Sequence, residues 1–265
     1  MRYLKIFSIT VRNALETRSR SLVWFLISLI TPLLMLFFWR GATHGDAEIV
    51  SGWNYSSLFV YFLLSIIGGS LLISHIEEDV ADKDIKQGNL VAYLTKPFSY
   101  FKIKYLSELP WRLLQGSFGL VVFIFLAIFL HNLINFNMTF IQLMLTILVC
   151  ILASLISFTF KIIVGVLGFW FTDSHGLFQL VDVLLVILAG YIVPLPLLPK
   201  FLQGIAQVLP FSYMNYFPVI VAQGKLDVLH TLVVLMSQII WLVILIGLYN
   251  FLFNKGVRKF TGVGQ

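Results

Sequence analysis

Residues 139–171 read TFIQLMLTILVCILASLISFTFKIIVGVLGFWF, and Lys161 is the only charged side chain in this run. About 20 apolar residues in a helix cross the roughly 30 Å hydrocarbon core of a bilayer. The rest of the chain has the same character, because 59% of its 265 residues are hydrophobic, 11% are charged and the mean hydropathy is +0.95. A soluble domain could not expose so little charge, so the sequence predicts an all-α integral membrane protein.

Six apolar runs are predicted to span the membrane, at 22–39, 55–76, 111–130, 139–171, 176–193 and 226–253. The fourth run is too long for one perpendicular crossing. It must tilt, project into the cytoplasm or break near Gly165 or Gly168; alternatively, Lys161 marks the membrane edge. Because the chain shows no internal repeat or composition boundary, we treat residues 1–265 as a single transmembrane domain.

The basic residues predict the orientation of these spans. Fourteen of the eighteen Lys and Arg residues lie in segments 1–21, 77–112 and 254–265, whereas the loops 40–54, 131–138 and 194–225 hold Arg40, Lys200 and Lys225. By the positive-inside rule both termini are cytoplasmic, which agrees with an even number of spans.

Residues 1–21 have helical periodicity with one apolar and one basic face. This pattern predicts an interfacial helix in the plane of the lipid headgroups. Two interpretations stay open: an anchor that fixes orientation only, or a helix that also touches a cytoplasmic partner.

The segment 194–225 differs in kind from the spans. It holds five of the eight prolines, which break helices because proline lacks a backbone N–H, yet it is too apolar for an ordinary solvated loop. Short helices that dip into the outer leaflet and return would satisfy both facts. The residues that characterise this predicted outer re-entrant segment are Pro194, Pro199, Pro210, Phe211, Tyr213, Tyr216 and Pro218.

The sequence carries no signature of catalysis. It contains no GxxxxGK[ST] phosphate-binding loop, no HExxH and no GxSxG. Cys150 is the only cysteine and the five histidines are scattered, so no metal site is predicted. We therefore expect a non-catalytic chain without a cofactor of its own. The clustering of basic residues favours orientation in a membrane over nucleic-acid binding.

The cytoplasmic loop at 77–110 carries an apolar stripe that a solvated loop does not need. Its first eight residues include five acids, which suit a span emerging into water. Residues 85–97, IKQGNLVAYLTKP, are predicted to form a short helix opened by Gly88 and closed by Pro97, with Leu90 and Leu94 on one face. Residues 98–105 are expected to return along the membrane surface. The stripe implies burial against lipid headgroups or another protein.

At this loop the sequence resembles a family. GNLVAYLTKP (88–97) looks like the GxLxxxLxxP loop of permeases of the type-2 class of ABC exporters. FWFTDSHGL (169–177) resembles their FWxxDxxGL junction between the fourth and fifth spans, and LPFSYMNYFPVIVAQG (209–224) their LPFxYxxYxP stretch before the last span. The three stretches occur in family order and, with the six spans, cover nearly the whole chain. Val91 stands where the family often has an acid.

The resemblance implies the transmembrane permease subunit of an ATP-driven exporter. Two separate ATP-binding subunits would hold ATP and Mg²⁺, and a second permease, identical or homologous, would complete the pathway in the cell membrane of a prokaryote. The coupling helix that docks on the ATPase would be formed by Ile85, Gly88, Leu90, Tyr93, Leu94, Lys96 and Pro97. A membrane assembly or scaffold protein and a membrane-embedded lipid-modifying enzyme are the alternatives.

Lys161 and Asp182 are the most deeply placed ionisable residues of the apolar runs. If Asp173 marks the turn between antiparallel spans, the two residues lie about 18 and 14 Å from it, at roughly 1.5 Å per residue. Because an unpaired charge at membrane depth is costly, the sequence predicts an intramembrane pair. The pair either holds two helices in register or marks the transport pathway. Replacing Lys161 with Asp, or Asp182 with Lys, is expected to lower folded yield or export, and exchanging the two residues is expected to recover part of that loss.

Overall fold

A computed structural model describes residues 2–42, 52–129 and 139–260. Within these ranges the chain is helical and contains no β-strand. Residues 43–51 of the predicted loop 40–54 and the predicted loop 131–138 lie outside the described residues. The α-helices are α1 (Arg2–Glu16), α2 (Arg18–Ser28), α3 (Ile30–Ala42), α4 (Tyr55–Leu72), α5 (Val91–Leu94), α6 (Tyr100–Phe129), α7 (Phe140–Val166), α8 (His175–Leu188), α9 (Lys200–Val208), α10 (Tyr216–Ala222) and α11 (Val228–Val257).

Five segments of the described chain are long and apolar enough to cross a membrane: Arg18–Ala42, which joins α2 and α3, then Tyr55–Leu72, Tyr100–Phe129, Phe140–Phe169 and Val228–Val257. The prediction of six full-length spans is not confirmed. The predicted fifth span became α8, whose 14 residues reach about 21 Å at roughly 1.5 Å per residue.

The chain leaves α8 at Gly190, which adopts a φ of 81°. Tyr61 donates a hydrogen bond of 2.7 Å from its hydroxyl to the Gly190 carbonyl. This side chain of α4 therefore stabilises the turn that ends α8, a tertiary contact that hydropathy cannot register.

The centre of the fold is formed by α4 and α7. α4 buries residues all round its circumference, including Leu58, Tyr61 and Phe62, and a helix that is apolar on every side belongs inside a bundle. α6 and α3 pack against α4, while α11 packs along α7. α1 lies against α6.

The long fourth apolar run forms one continuous candidate span, Phe140–Phe169, which changes to a 3₁₀ turn near its two glycines. α7 ends at Val166 and a 3₁₀ turn, Leu167–Phe169, follows. Lys161 is fully buried within the protein.

The first loop contains two helical elements where the sequence predicted a single short helix. A π-helix, Asp79–Lys86, precedes the single turn of α5. Most of residues 98–105, which were expected to return along the membrane surface, form the first turns of α6, which begins at Tyr100 and runs on through Pro110 as one helix. The end of the loop is thus the beginning of α6, whereas its start is separated from α4 by the non-helical residues 73–76.

Candidate functional site

Lys161 lies at the centre of a buried ion-pair cluster that joins three segments. Its Nζ is 2.5 Å from Glu77 Oε1 and 2.6 Å from Asp182 Oδ1. The Lys161 side chain is fully buried, whereas Asp182, on α8, is 52% exposed. The structure thus brings together the two residues of the predicted pair and adds Glu77. We call Glu77, Lys161 and Asp182 the lysine triad.

Glu77 was expected to mark a span that emerges into water, and this expectation is wrong. The residue is 3% exposed. Desolvation raises the pKa of its carboxyl group, and the neighbouring Lys161 ammonium opposes that shift. Because a buried charge is tolerated only with a close partner, Glu77 links the entrance of the first loop to α7.

Asp84 forms a second buried ion pair, further along the same loop. Its Oδ2 is 2.5 Å from Lys104 Nζ, and the Tyr100 hydroxyl donates to the same oxygen at 2.5 Å. Lys104 also lies 5.2 Å from the ring centre of Tyr93, a distance at which a cation is attracted to the face of an aromatic ring. The π-helix is thereby fastened to the start of α6.

Glu108 of α6 forms a third link, to the non-helical residues 73–76 that follow α4. Its carboxylate accepts hydrogen bonds from the Ser74 hydroxyl at 2.7 Å and from the His75 backbone N–H at 3.0 Å. Arg112 Nε lies 3.1 Å from the same carboxylate. The Ser74 N–H donates in turn to Ser157 of α7 at 2.9 Å, so the C-terminal end of α4 is held by α6 and α7 together.

The π-helix approaches the end of α7 closely because the side chains at their contact are small. A Cβ added at Gly165 would lie 2.7 Å from the Val80 Cβ, and one added at Gly168 would lie 2.9 Å from the Ala81 Cβ. Real Cβ atoms do not approach that closely. The two glycines therefore permit a contact that any larger side chain would separate.

The predicted coupling residues divide into a buried and an exposed group. Leu90 is fully buried and Ile85 is 7% exposed, whereas Leu94 is 42% exposed. The expectation that Leu90 and Leu94 present one face outward is therefore corrected: the turn of α5 packs Leu90 into the core of its own chain. Gly88 is also buried and has a φ of 80°, a conformation that favours glycine. Tyr93 is half-buried, and Lys96 and Pro97 are exposed.

Proline begins the short helices of the segment 194–225. Pro194 precedes the 3₁₀ turn Leu195–Leu197, Pro199 precedes α9, and Pro218 lies in the first turn of α10. Proline suits these positions because the first N–H groups of a helix have no partner within it.

The chain between α9 and α10 extends deep along the bundle. Pro210 opens a turn in which Phe211 packs edge-on against Phe160 of α7, with ring centres 5.2 Å apart. Gln238 of α11 donates to the Tyr213 carbonyl at 3.1 Å, and Tyr216 packs near Tyr61.

Asn215 gives the depth of this excursion. A Cβ added at Gly68 would meet Asn215 Oδ1 at 2.6 Å, and Gly68 lies about 20 Å along α4 from its first residue, at roughly 1.5 Å per residue. The segment then returns to the start of α4, where Gln223 donates to the Ser57 carbonyl at 2.8 Å.

A comparison with protein families agrees with this architecture. A family model described as ABC-2 family transporter protein matches residues 29–264. The chain belongs to the ABC-2 transporter family. No curated protein matches the chain. The match covers every element of the bundle from the middle of the first candidate span onward, and it identifies the chain as a multi-pass membrane permease of the ABC type.

Sequence reasoning missed most of the charged network of this permease. It singled out Lys161 and Asp182, but not Glu77, Asp84 or Glu108. A usable signal was present: Lys104 and Arg112 lie within the apolar helix α6, and cations in such a position require carboxylates nearby.

Proposed function

We propose that this permease is the membrane subunit of an ATP-driven exporter and that its first loop transmits movement between a separate ATP-binding subunit and the spans. Closure of two ATPase subunits around ATP and Mg²⁺ would shift the loop. The bundle would then rock against a second permease, identical or homologous, and change access to the pathway between them.

The observation that carries this proposal is the way the loop is fastened. Glu77 and Asp84 both lie on the loop, and each is buried in an ion pair with a lysine of a spanning helix, Lys161 of α7 or Lys104 of α6. A displacement of the loop would therefore be passed to two helices at once. Leu94, Lys96 and Pro97 are exposed on the surface of the loop, where a partner protein can contact them.

The orientation proposed for the permease follows the basic residues. The loop at 77–110 and both termini would be cytoplasmic, in the cell membrane of a prokaryote, and the segment 194–225 would enter the outer leaflet and return. The depth of Asn215 along α4 supports this re-entrant path, as does the return of Gln223 to the start of the same helix.

The proposal can be tested by reversing the polarity of the exposed loop surface. The variant Leu94→Asp with Lys96→Glu should lose co-purification with the partner ATPase and its effect on ATP hydrolysis, while the purified permease keeps its thermal stability. Both positions are exposed, so folding should tolerate the change.

Ser99→Asp with Lys102→Glu provides the matched control, because it changes net charge equally at two other exposed residues of the same segment. The control should still bind the ATPase. If the Leu94 and Lys96 variant binds and activates the ATPase like the unmodified permease, the loop is not the docking surface.

A further inference from the structure

A cleft of about 380 Å³ lies between the N-terminal helix and the first loop. α1 forms one wall, the turn after α5 forms the other, and the start of α6 lies at its base. The residues that line it are Lys5, Ile6, Tyr93, Lys96, Phe98 and Ile103. Tyr3 of α1 packs edge-on against Phe98, with ring centres 5.7 Å apart, which fixes α1 beside the loop.

The polar groups of the cleft include two cations, Lys5 and Lys96. Lys5 and Lys96 are both exposed, and within the described parts of the chain neither forms an ion pair. Asp84, a buried acid of the loop, is already paired with Lys104. The cleft therefore combines a positive rim with an apolar and aromatic floor.

The exposed side of α1 indicates where the cleft lies. Leu4 is 72% exposed, Ile9 60% and Leu15 55%. Large apolar side chains on an amphipathic helix next to a membrane span are buried in the region between headgroups and acyl chains. Lys5 follows Leu4 directly, so the rim of the cleft lies at the depth of the lipid headgroups.

We propose that this cleft binds the headgroup of one anionic phospholipid. Lys5 and Lys96 would hold the phosphate, and the glycerol and upper acyl carbons would lie against Ile6 and Phe98. Occupancy of the site needs neither an ATPase nor a transported substrate, although Lys96 also belongs to the proposed docking surface. By bridging α1 and the loop, the lipid would stabilise the position of the loop that we propose as the docking element.

An acidic protein surface is the other anion that could meet two lysines. The lipid is favoured because the floor of the cleft is apolar and because the Leu4 side of α1 requires lipid, not water, beside it. These two features suit a ligand that carries a phosphate and hydrocarbon in one molecule.

The test uses the full-length permease, purified in detergent without a partner. Native mass spectrometry with phosphatidylglycerol and with phosphatidylcholine of the same acyl chains should show selective retention of one phosphatidylglycerol. Lys5→Gln with Lys96→Gln should weaken that retention about 30-fold, since each basic residue near anionic lipid contributes roughly a factor of five. Lys5→Arg with Lys96→Arg should keep it.

The control removes the same charge elsewhere. Arg20→Gln with Lys102→Gln replaces two exposed cations that do not line the cleft, and it should leave the selective retention unchanged. Inorganic phosphate at the same concentration should not displace the lipid, because it lacks the hydrocarbon that contacts the floor.

Three results would overturn the proposal. These are equal retention of the two lipids by the unmodified permease, an equal loss of retention in the control, and an unchanged lipid selectivity in Lys5→Gln with Lys96→Gln. In the last case, loss of co-purification of that variant with the ATPase, measured separately, would assign the cleft to an acidic surface of the partner. Failure of the transport proposal alone would leave the lipid result intact.

Discussion

The two ends of α4 are held by different kinds of contact. At the charged end, which comprises residues 73–112 with Lys161 and Asp182, carboxylates pair with buried cations. At the apolar end, which comprises residues 189–225 with the first half of α4, the links are contacts between aromatic rings and hydrogen bonds to backbone carbonyls. Removing one member of a buried ion pair causes a large loss of stability. Removing one of many weak contacts causes a small loss, and such losses add when the sites are independent.

The largest effect is expected from Lys161→Met at the charged end. Removal of the ammonium leaves Glu77 buried without a counter-ion, and breaking a buried pair in this way costs about 3–5 kcal/mol. Folded yield in detergent should fall severely, as measured by size-exclusion chromatography and thermal unfolding.

The second member of the pair provides the control. Glu77→Gln combined with Lys161→Met removes both charges and should recover most of the yield. The exchange of Lys161 and Asp182 should not recover it, contrary to the sequence-based expectation, because an acid at position 161 would lie beside Glu77. A double variant no better than Lys161→Met alone would show that the two residues do not act as a pair.

Gly165→Ala tests the close packing at the charged end. The new methyl group would lie 2.7 Å from the Val80 Cβ and 2.8 Å from the Glu77 carbonyl oxygen, so the π-helix must move away from α7. We expect a loss of about 1–3 kcal/mol, which is typical of overpacking, measured as a lower unfolding midpoint.

Gly247→Ala is the matched control for this steric effect. Its new methyl group meets nothing within 4 Å, and alanine favours a helix over glycine by up to about 1 kcal/mol. The control should be neutral or slightly stabilising. Equal losses in the two variants would contradict a steric role for Gly165.

Tyr61→Phe tests a single link at the apolar end. The change removes the hydroxyl that donates to the Gly190 carbonyl at 2.7 Å, and one such hydrogen bond contributes about 1 kcal/mol. The thermal unfolding midpoint should fall modestly while the yield is kept. If Tyr61→Phe lost as much folded yield as Lys161→Met, the two ends of α4 would not differ in how they respond to the loss of one contact.

The smallest expected effect concerns the chemical reactivity of the Lys225 amine and not the stability of the fold. Its ammonium donates to the Gly52 carbonyl at 2.6 Å and lies 3.3 Å from the ring centre of Trp53. Desolvation lowers the pKa of Lys225 to about 8, so about half of it is neutral and nucleophilic at that pH, whereas an ordinary lysine with a pKa of about 10.4 is almost wholly protonated.

Acetylation of the purified permease over pH 7–10, followed by peptide mass spectrometry, measures this difference. The rate at Lys225 should approach its plateau near pH 8–9, and the rate at a fully exposed lysine should still be rising at pH 10. Parallel profiles at the two sites would contradict the lowered pKa.

The sequence predicted what depends on local hydrophobicity and missed what depends on distant partners. The apolar runs located the spans, and the isolation of Lys161 and Asp182 in such runs predicted their proximity. Glu77 was missed because it begins a run of acids typical of solvated loops, and its partner lies 84 residues away. The short length of α8 was missed because a hydropathy profile does not register the turn at Gly190 that Tyr61 stabilises.

We propose that the lysine triad transmits movement of the first loop to α7 through Lys161 and on to α8 through Asp182. Hydrogen–deuterium exchange of the permease in complex with its ATPase, with and without trapped ATP, measures this directly. In the unmodified permease, ATP should change exchange in both the π-helix Asp79–Lys86 and α8. In Glu77→Gln with Lys161→Met, the change in α8 should be lost, whereas a change at the start of α6 should remain because Asp84 still pairs with Lys104. An ATP-dependent change in α8 of the same size in both proteins would contradict the account.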